Sequence, residues 1–184
     1  MLSREQAGDI VDRIRKISSA DEVEVLFSGG KFALTRFANN TIHQNVSEEN
    51  HVVSVRTVFG QKTARATTNK FDDEGLRHVV KSSEALAKVQ HPDPDLLPMP
   101  DASGAGPAVP SRHFEQTAAI SPELRADGVK KIVGVADKHG LTTAGVFSSG
   151  EHIEGIFNSR GLSNWYTQTS AEISITMLGA DSSG

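Results

Sequence analysis

The sequence predicts an α+β domain in which one α-β-β-β(-α) unit occurs twice, with mainly antiparallel sheets and packed helices. Apolar, turn and polar positions from Leu26 onward coincide with those from Val146 onward at a constant offset of 120 residues. In both halves the apolar period changes from helical spacing to an alternation of two. Six of the seven prolines lie between Pro92 and Pro110, which indicates an extended connection. We therefore predict a first repeat at 1–90, a Pro-rich connection at 91–120 and a second repeat at 121–184.

The first repeat begins with a helix. Ser3 is a good N-cap residue, and Gln6 stands where a capping box places its partner. Alternation from Glu22 to Phe27 predicts a strand, and Asp72 is placed to cap a second helix. The remaining predicted elements are strands at 31–37, 42–46 and 51–59, and turns at 28–30, 39–40 and 47–50.

The second repeat follows the same order. Ser121 is an N-cap residue followed by Pro122 at the first helical position, and Gly140 ends that helix. Turns are predicted at 148–150 and 158–161, and an alternating strand at 173–177. By symmetry a helix equivalent to 72–89 should follow residue 184. We therefore expect the chain to be the N-terminal domain of a longer protein.

Composition excludes several classes of function. No apolar run approaches the roughly 20 residues of a membrane helix, and the N-terminus lacks a signal-peptide pattern, so we expect a cytoplasmic protein without membrane contact. There are no cysteines, which excludes disulfides, thiolate metal sites and cysteine nucleophiles within the sequence. The net charge is -4 and no basic stripe occurs, so we expect no direct binding to nucleic acid.

Two patterns resemble catalytic or metal sites. Ser28-Gly29-Gly30-Lys31 fits the S-x-x-K spacing of serine acyl-enzymes, but that chemistry needs a helical turn, and the glycines favour a plain hairpin. His43, Glu48, Glu49 and His51 could form a metal site or a polar hairpin tip. A hairpin centred near Glu48 would pair His51 with Val46 rather than His43, which favours the polar tip. We predict no catalytic residue and no metal ligand in this chain.

Five segments together resemble the N-terminal domain of the TldD/PmbA (TldE) family, and the resemblance covers essentially the whole sequence in order. They are residues 35–44, 53–56, 64–69, 143–148 and 158–161. Members of this family are often labelled modulators of DNA gyrase. They are cytoplasmic metallopeptidases that pair a zinc-bearing TldD-type subunit with a PmbA-type subunit lacking the metal, and they process or degrade unfolded peptides.

The resemblance implies a non-catalytic N-terminal domain of such a hydrolase assembly, acting in proteolysis and peptide maturation. Its partners would be a TldD- or PmbA-type subunit, in a homo- or heterodimer, and an unfolded peptide substrate. The family's His-Glu-x-x-x-His zinc motif belongs to a later part of the protein, so zinc would be held elsewhere in the assembly and none of its ligands maps onto this sequence. Two alternatives stay open: a metal-free PmbA-type partner subunit, and a stand-alone peptide-binding or assembly domain.

Two predicted turns are candidates for contact with the peptide or the partner. Asn39 and Asn40 form the first, and Asn158, Ser159 and Arg160 the second. They are polar, turn-forming and equivalent in the predicted duplication. The alternative is that asparagine stands there only for its tolerance of left-handed backbone.

Overall fold

A computed structural model describes residues 1–104 and 109–182. Within these ranges, five strands form one sheet in the order β3-β2-β1-β4-β5. The strands are β1 Glu22–Ala38, β2 Thr41–Phe59, β3 Lys62–Thr68, β4 Thr142–Asn158 and β5 Ser163–Leu178. The helices are α1 Arg4–Ile17, α2 Asp73–Val89, the short α3 Glu115–Ala118 and α4 Pro122–Lys138, with one 3₁₀ turn at Ala102–Gly104. None of these described helices combines the length and apolar character needed to cross a bilayer.

The sheet is antiparallel, which confirms the predicted α+β class. β2 pairs with β3 in a register that sets Val53 opposite Thr68 and Phe59 opposite Lys62. The amide that follows β1, at Asn40, donates to the carbonyl of Thr143 at the start of β4. β1 and β4 each contain 17 residues and begin 120 positions apart, as the proposed repeat requires, but the duplication itself stays a prediction.

The chain divides into two compact units built from separate stretches of sequence. Unit 1 comprises Met1–Gly30, Asn50–Ser111 and Ile153–Thr167, and unit 2 comprises Lys31–Glu49, Arg112–His152 and Gln168–Gly184. Each unit therefore takes strand segments from both halves of the sequence. The repeat boundaries at 1–90, 91–120 and 121–184 stay predictions, and they include residues 105–108 and 183–184, which lie outside the described residues.

The core of unit 1 lies between helices α1 and α2 and the sheet. α1 begins with the predicted capping box of Ser3 and Gln6 and buries its apolar stripe of Ala7, Ile10, Val11 and Ile14. α2 begins at its predicted cap, Asp72. The rings of Phe27, Phe157 and Trp165 pack together with centroids 5.7 to 6.4 Å apart. Each such side chain contributes roughly 1.5–3 kcal/mol by leaving water.

Unit 2 packs α4 onto its own part of the sheet. Phe37, Val129 and Phe147 form the buried cluster, and α4 begins at Ser121 and Pro122 as predicted. Among its buried residues is Arg125, which is only 1% exposed. Its guanidinium donates to Thr35 Oγ1, Ser149 Oγ, Asn45 Oδ1 and the carbonyl of Ile120. These acceptors provide the hydrogen bonds that a buried charge requires.

Three predicted turns are wrong. Residues 28–30, 47–50 and 148–150 lie inside the continuous strands β1, β2 and β4. Gly29 has φ +142°, and a Cβ there would lie 2.2 Å from the carbonyl oxygen of Asn50. The glycine therefore serves a close approach of two strands rather than a reversal of the chain. The predicted turns at 39–40 and 158–161 are confirmed.

Candidate functional site

The turn at Asn39 and Asn40 connects β1 to β2 within unit 2. Both residues have left-handed backbone, with φ of 50° and 58°. The Asn40 side chain accepts from the amide of Thr143 at 2.6 Å and donates to Asp137 Oδ1 at 2.6 Å and to the carbonyl of Leu141 at 3.0 Å. Asn40 thus fixes the turn to the end of α4 and the start of β4, whereas Asn39 is exposed.

The second turn follows β4 in unit 1. Asn158 is 2% exposed, its Oδ1 accepts from the amides of Arg160 and Leu162 at 3.0 Å, and its Nδ2 donates to the carbonyl of Pro100 at 2.6 Å. Ser159 Oγ accepts from the amide of Val23 at 3.0 Å. Arg160 is exposed and lies 3.5 Å from Glu22. Asn158 therefore shapes the turn, and the outward role of these residues stays a prediction.

The histidine-rich segment of β2 does not form the predicted hairpin tip. His43 and His51 lie on one continuous strand, roughly 26 Å apart at about 3.3 Å per residue. Across residues 1–104 and 109–182, no group of three or more His, Asp or Glu side chains lies close enough to hold a metal ion. The described residues therefore do not fit a zinc site, and we assign no chemistry to a metal in this chain.

A groove on unit 1 is a site that sequence reasoning missed. It encloses about 780 Å³ and is lined by Leu26 and Ser28 of β1, Glu154 and Ile156 of β4, and Tyr166 of β5. These positions alternate along their strands, so they share one face of the sheet. The rings of Phe27 and Trp165, on intervening positions, join the core. Ser54 of β2 and Val109 of the Pro-rich connection also border the groove.

A group of charged side chains lies next to Ser54, and we call Glu24, Arg56 and Arg65 the Glu24 cluster. Arg65 Nη2 lies 2.5 Å from Glu24 Oε1, and Arg56 Nε lies 3.3 Å from the same oxygen. Arg65 Nη1 also donates to Ser54 Oγ at 3.2 Å. The Glu24 side chain is 9% exposed, whereas Arg56 and Arg65 are 28% and 34% exposed. The cluster thus carries one surplus positive charge, on guanidinium groups that solvent reaches.

The hydrogen bonding of the Glu24 cluster is incomplete at one atom. Arg56 Nε is buried and, among the described residues, has no hydrogen-bond partner. Its contact with Glu24 is an ion pair without the alignment of a hydrogen bond. The terminal nitrogen of Arg56 reaches Glu24 Oε2 at 3.4 Å. Arg56 is therefore held more loosely than Arg65, which donates to two acceptors.

The part of β5 at residues 173–177, in unit 2, is apolar and exposed, beyond the bridge that β5 forms between Gln168 and Arg112. Ile173, Ile175 and Met177 are 46%, 43% and 38% exposed, and β5 is the last strand in the sheet order. An edge strand presents unpaired backbone groups that another extended segment can pair with. This edge is therefore a second surface able to take up a polypeptide.

A signal for the Glu24 cluster was present in the sequence. Val23, Val25 and Phe27 alternate with Glu22 and Glu24, which places the carboxylates on the face opposite the core. Arg56 lies between the buried residues Val55 and Thr57, and Arg65 lies between the partly buried Ala64 and Ala66. Only the register of β2 against β3, which sets Arg56 opposite Arg65, brings the opposite charges together.

Part of the chain matches a known protein family. Residues 23–87 match the family model described as PmbA/TldA metallopeptidase domain 1. This part of the chain is similar to the first domain of the TldD/PmbA family. This confirms the resemblance in the sequence, and the matched range contains the Glu24 cluster and the turn at Asn39 and Asn40. Comparison with curated proteins gives no match.

Solved structures share the fold of this chain. TldE from Thermococcus kodakarensis superposes with a TM-score of 0.83 at 15% identity, covering 97% of this chain and 40% of that one. A candidate modulator of DNA gyrase from Thermotoga maritima gives 0.78 at 14% identity, with coverages of 91% and 38%. One from Bacteroides thetaiotaomicron gives 0.76 at 14% identity, with 95% and 41%. The chain thus spans about two fifths of the length of the structures it matches.

Proposed function

We propose that this chain is the N-terminal, non-catalytic domain of a TldD/PmbA-type metallopeptidase assembly, and that it holds unfolded peptides which the assembly processes or degrades. The match of residues 23–87 to a metallopeptidase domain supports the type of assembly. The groove on unit 1 is the observation that carries the peptide-holding role. Hydrolysis by zinc-activated water would take place in another part of a cytoplasmic assembly.

The groove has the size and lining that a short stretch of extended peptide requires. Its volume of about 780 Å³ lies within the range of roughly 300–1,000 Å³ that is typical of ligand sites. Leu26, Ile156 and Tyr166 provide apolar contact without demanding one particular sequence. Neighbouring strands are about 4.8 Å apart, so the floor from β1 across β4 to β5 is wide enough for a backbone with one side chain.

In this proposal the apolar edge of β5 and the turn at Asn39 are partner-facing surfaces of unit 2, and the turn at Ser159 and Arg160 is a separate partner-facing surface of unit 1. Three large apolar side chains on one edge are typical of a surface that another polypeptide covers. Asn39, Ser159 and Arg160 are exposed on their turns, while the side chains of Asn40 and Asn158 are engaged internally. A TldD- or PmbA-type subunit is the partner that the family match supports.

Peptide binding can be measured directly because Trp165 is the only tryptophan of the chain and borders the groove. A tryptophan-free, ten-residue unfolded peptide containing leucine and phenylalanine should change its fluorescence in a saturable titration. Ile156→Asp places a charge in the groove, and we expect it to raise the Kd at least about tenfold, which corresponds to 1.4 kcal/mol. Ile42→Asp is the matched control, because Ile42 is exposed in unit 2, and it should leave the Kd unchanged.

Two results would contradict the proposal. Absence of saturable binding by the full chain would remove the peptide-holding role. Cleavage of the same peptide by the purified chain, with or without added zinc, would contradict a non-catalytic domain.

A further inference from the structure

We propose that the groove of unit 1 selects unfolded peptides that carry an acidic side chain, and that Arg56 and Arg65 bind its carboxylate. This inference rests on the proposed function of the groove. It adds a chemical preference that apolar lining alone does not give.

Arg56 and Arg65 lie next to the groove. Ser54 lines the groove, and Arg65 Nη1 donates to its hydroxyl at 3.2 Å. Thr67 also donates to that hydroxyl at 3.2 Å, which orients Ser54. The guanidinium of Arg65 therefore lies one hydrogen bond away from the wall of the groove. Arg56 is brought to the same place because both arginines contact Glu24 Oε1.

The Glu24 cluster has the charge and the donors to bind a second carboxylate. Glu24 is a single carboxylate that contacts two guanidinium groups, so a second carboxylate would make the cluster neutral. Arginine has five N–H donors in a planar fork that matches a carboxylate. Arg65 donates from its two terminal nitrogens to Ser54 and Glu24, and Arg56 donates from one terminal nitrogen to Glu24. Each terminal nitrogen carries two N–H groups, so among the described residues both guanidinium groups keep terminal N–H donors for a second carboxylate. Both side chains are about a third exposed or less, so an approaching carboxylate can reach them and would lose part of its contact with water.

The Glu24 cluster lies at one end of the groove, which sets the direction in which a peptide would bind. Glu154, which also lines it, is engaged in an interaction of its own. It lies on β4, which is separated from β2 by β1, so the backbones of β4 and β2 are about 10 Å apart. An acidic side chain would therefore bind at the end formed by β2 and β3. The apolar residues of the same peptide would lie over Leu26, Ile156 and Tyr166.

The test compares two peptides that differ in one atom group. Ten-residue, tryptophan-free peptides with the same leucine and phenylalanine residues carry either Glu or Gln at the centre, with both termini blocked. Binding to the full chain is followed by Trp165 fluorescence at low salt. We expect the Glu peptide to bind about tenfold more tightly, since charge-assisted hydrogen bonds are roughly twice as strong as neutral ones. The difference should shrink as salt is raised, because exposed charges are screened.

Variants identify the residues responsible. Arg65→Gln and Arg56→Gln should each reduce the preference for Glu over Gln to less than about threefold. Arg36→Gln is the matched control, because it removes the same charge from an exposed position in unit 2. This variant should keep the full preference for the Glu peptide. Circular dichroism checks that each variant folds. If the arginine variants do not fold, the comparison of the Glu and Gln peptides on the unmodified chain still tests the acidic preference.

The outcomes separate this inference from the proposed function. Equal affinity for the Glu and Gln peptides would overturn the acidic preference and leave the peptide-holding groove intact. No binding of either peptide would overturn the proposed function itself. A preference for Glu that persists in both arginine variants would overturn the assignment to Arg56 and Arg65. A peptide with free C-terminal carboxylate and a central Gln that binds as tightly as the Glu peptide would overturn the assignment to a side chain.

Discussion

Replacement of Glu84 is expected to destabilise unit 1 strongly, although the residue lies outside the groove. Its side chain on α2 is 3% exposed. One oxygen accepts from the amide of Ser19 at 2.6 Å and from the hydroxyls of Ser18 and Ser19 at 3.0 and 3.2 Å. The other accepts from Lys81 Nζ at 2.8 Å. Glu84 thus anchors α2 to the residues that end α1.

The magnitude follows from what each substitution leaves unpaired. Glu84→Ala removes the acceptor of the partly buried Ser19 amide and of the exposed Lys81 ammonium, and a lost hydrogen bond to a charged group is worth about 1.5–3 kcal/mol. We expect a total loss of about 2–4 kcal/mol in the free energy of unfolding, because several hydrogen bonds to one carboxylate are lost at once while the Lys81 ammonium stays in contact with water. Glu84→Gln keeps one oxygen for Ser19 and should cost about 2 kcal/mol. Glu74→Gln, at an exposed position on the same helix, should cost less than about 0.5 kcal/mol.

Urea unfolding measures these losses, with Trp165 fluorescence and circular dichroism as independent probes. The dependence on pH provides a further check. Burial raises the pKa of Glu84, but the hydrogen bonds from Lys81, Ser19 and Ser18 together lower it by more than burial raises it. The pKa of Glu84 therefore lies below its ordinary value. The carboxylate therefore contributes stability that is present at neutral pH and is lost as the pH falls through the lowered pKa. The difference in the free energy of unfolding between the unmodified chain and Glu84→Gln should shrink at acid pH. A Glu84→Ala variant that is as stable as the unmodified chain at pH 7 would refute the reasoning.

Three further predictions concern the strands and turns. Gly29→Ala should lower the free energy of unfolding by more than about 2 kcal/mol, because the φ of Gly29 is +142° and the new Cβ would meet the backbone of Asn50. Gly8→Ala is the control, because nothing lies within 4 Å of its new Cβ, and it should stabilise the chain by about 0.5–1 kcal/mol. Equal urea midpoints for the two variants would contradict the strand assignment at Gly29. Asn40→Ala should cost about 2–4 kcal/mol through its three side-chain hydrogen bonds, whereas Asn39→Gly, which keeps the left-handed turn, should be nearly neutral in thermal unfolding. Arg160→Ala should leave stability within about 1 kcal/mol, since its contact with Glu22 is exposed, but should weaken co-purification with a TldD- or PmbA-type subunit; unchanged co-purification would remove Arg160 from the partner surface.

The sequence was sufficient wherever the determining chemistry is local. Ser3, Asp72 and Ser121 are the residues that begin helices α1, α2 and α4, because a cap depends on three or four neighbouring residues. The turn at Asn39 and Asn40 follows from the tolerance of asparagine for positive φ.

Prediction failed where the partner lies far along the chain. Gly29 has the same local signature in a turn and in a close strand contact, and only the approach of Asn50 distinguishes the two. The resulting false turns broke β1, β2 and β4 into short hairpins. Without the long strands, the register that brings Arg56 and Arg65 to Glu24 could not be derived. The groove depends on four strands at once and was therefore missed as well.

The open edge of β5 has a consequence for the behaviour of the chain in solution. Ile173, Ile175 and Met177 are exposed on the outermost strand of the sheet that the described residues form, and an edge strand of this kind templates the pairing of identical strands. The exposed part of β2 differs, since Glu48 and Glu49 would repel a second copy placed against it. We therefore expect concentration-dependent self-association through β5, which a single Ile175→Lys substitution should suppress.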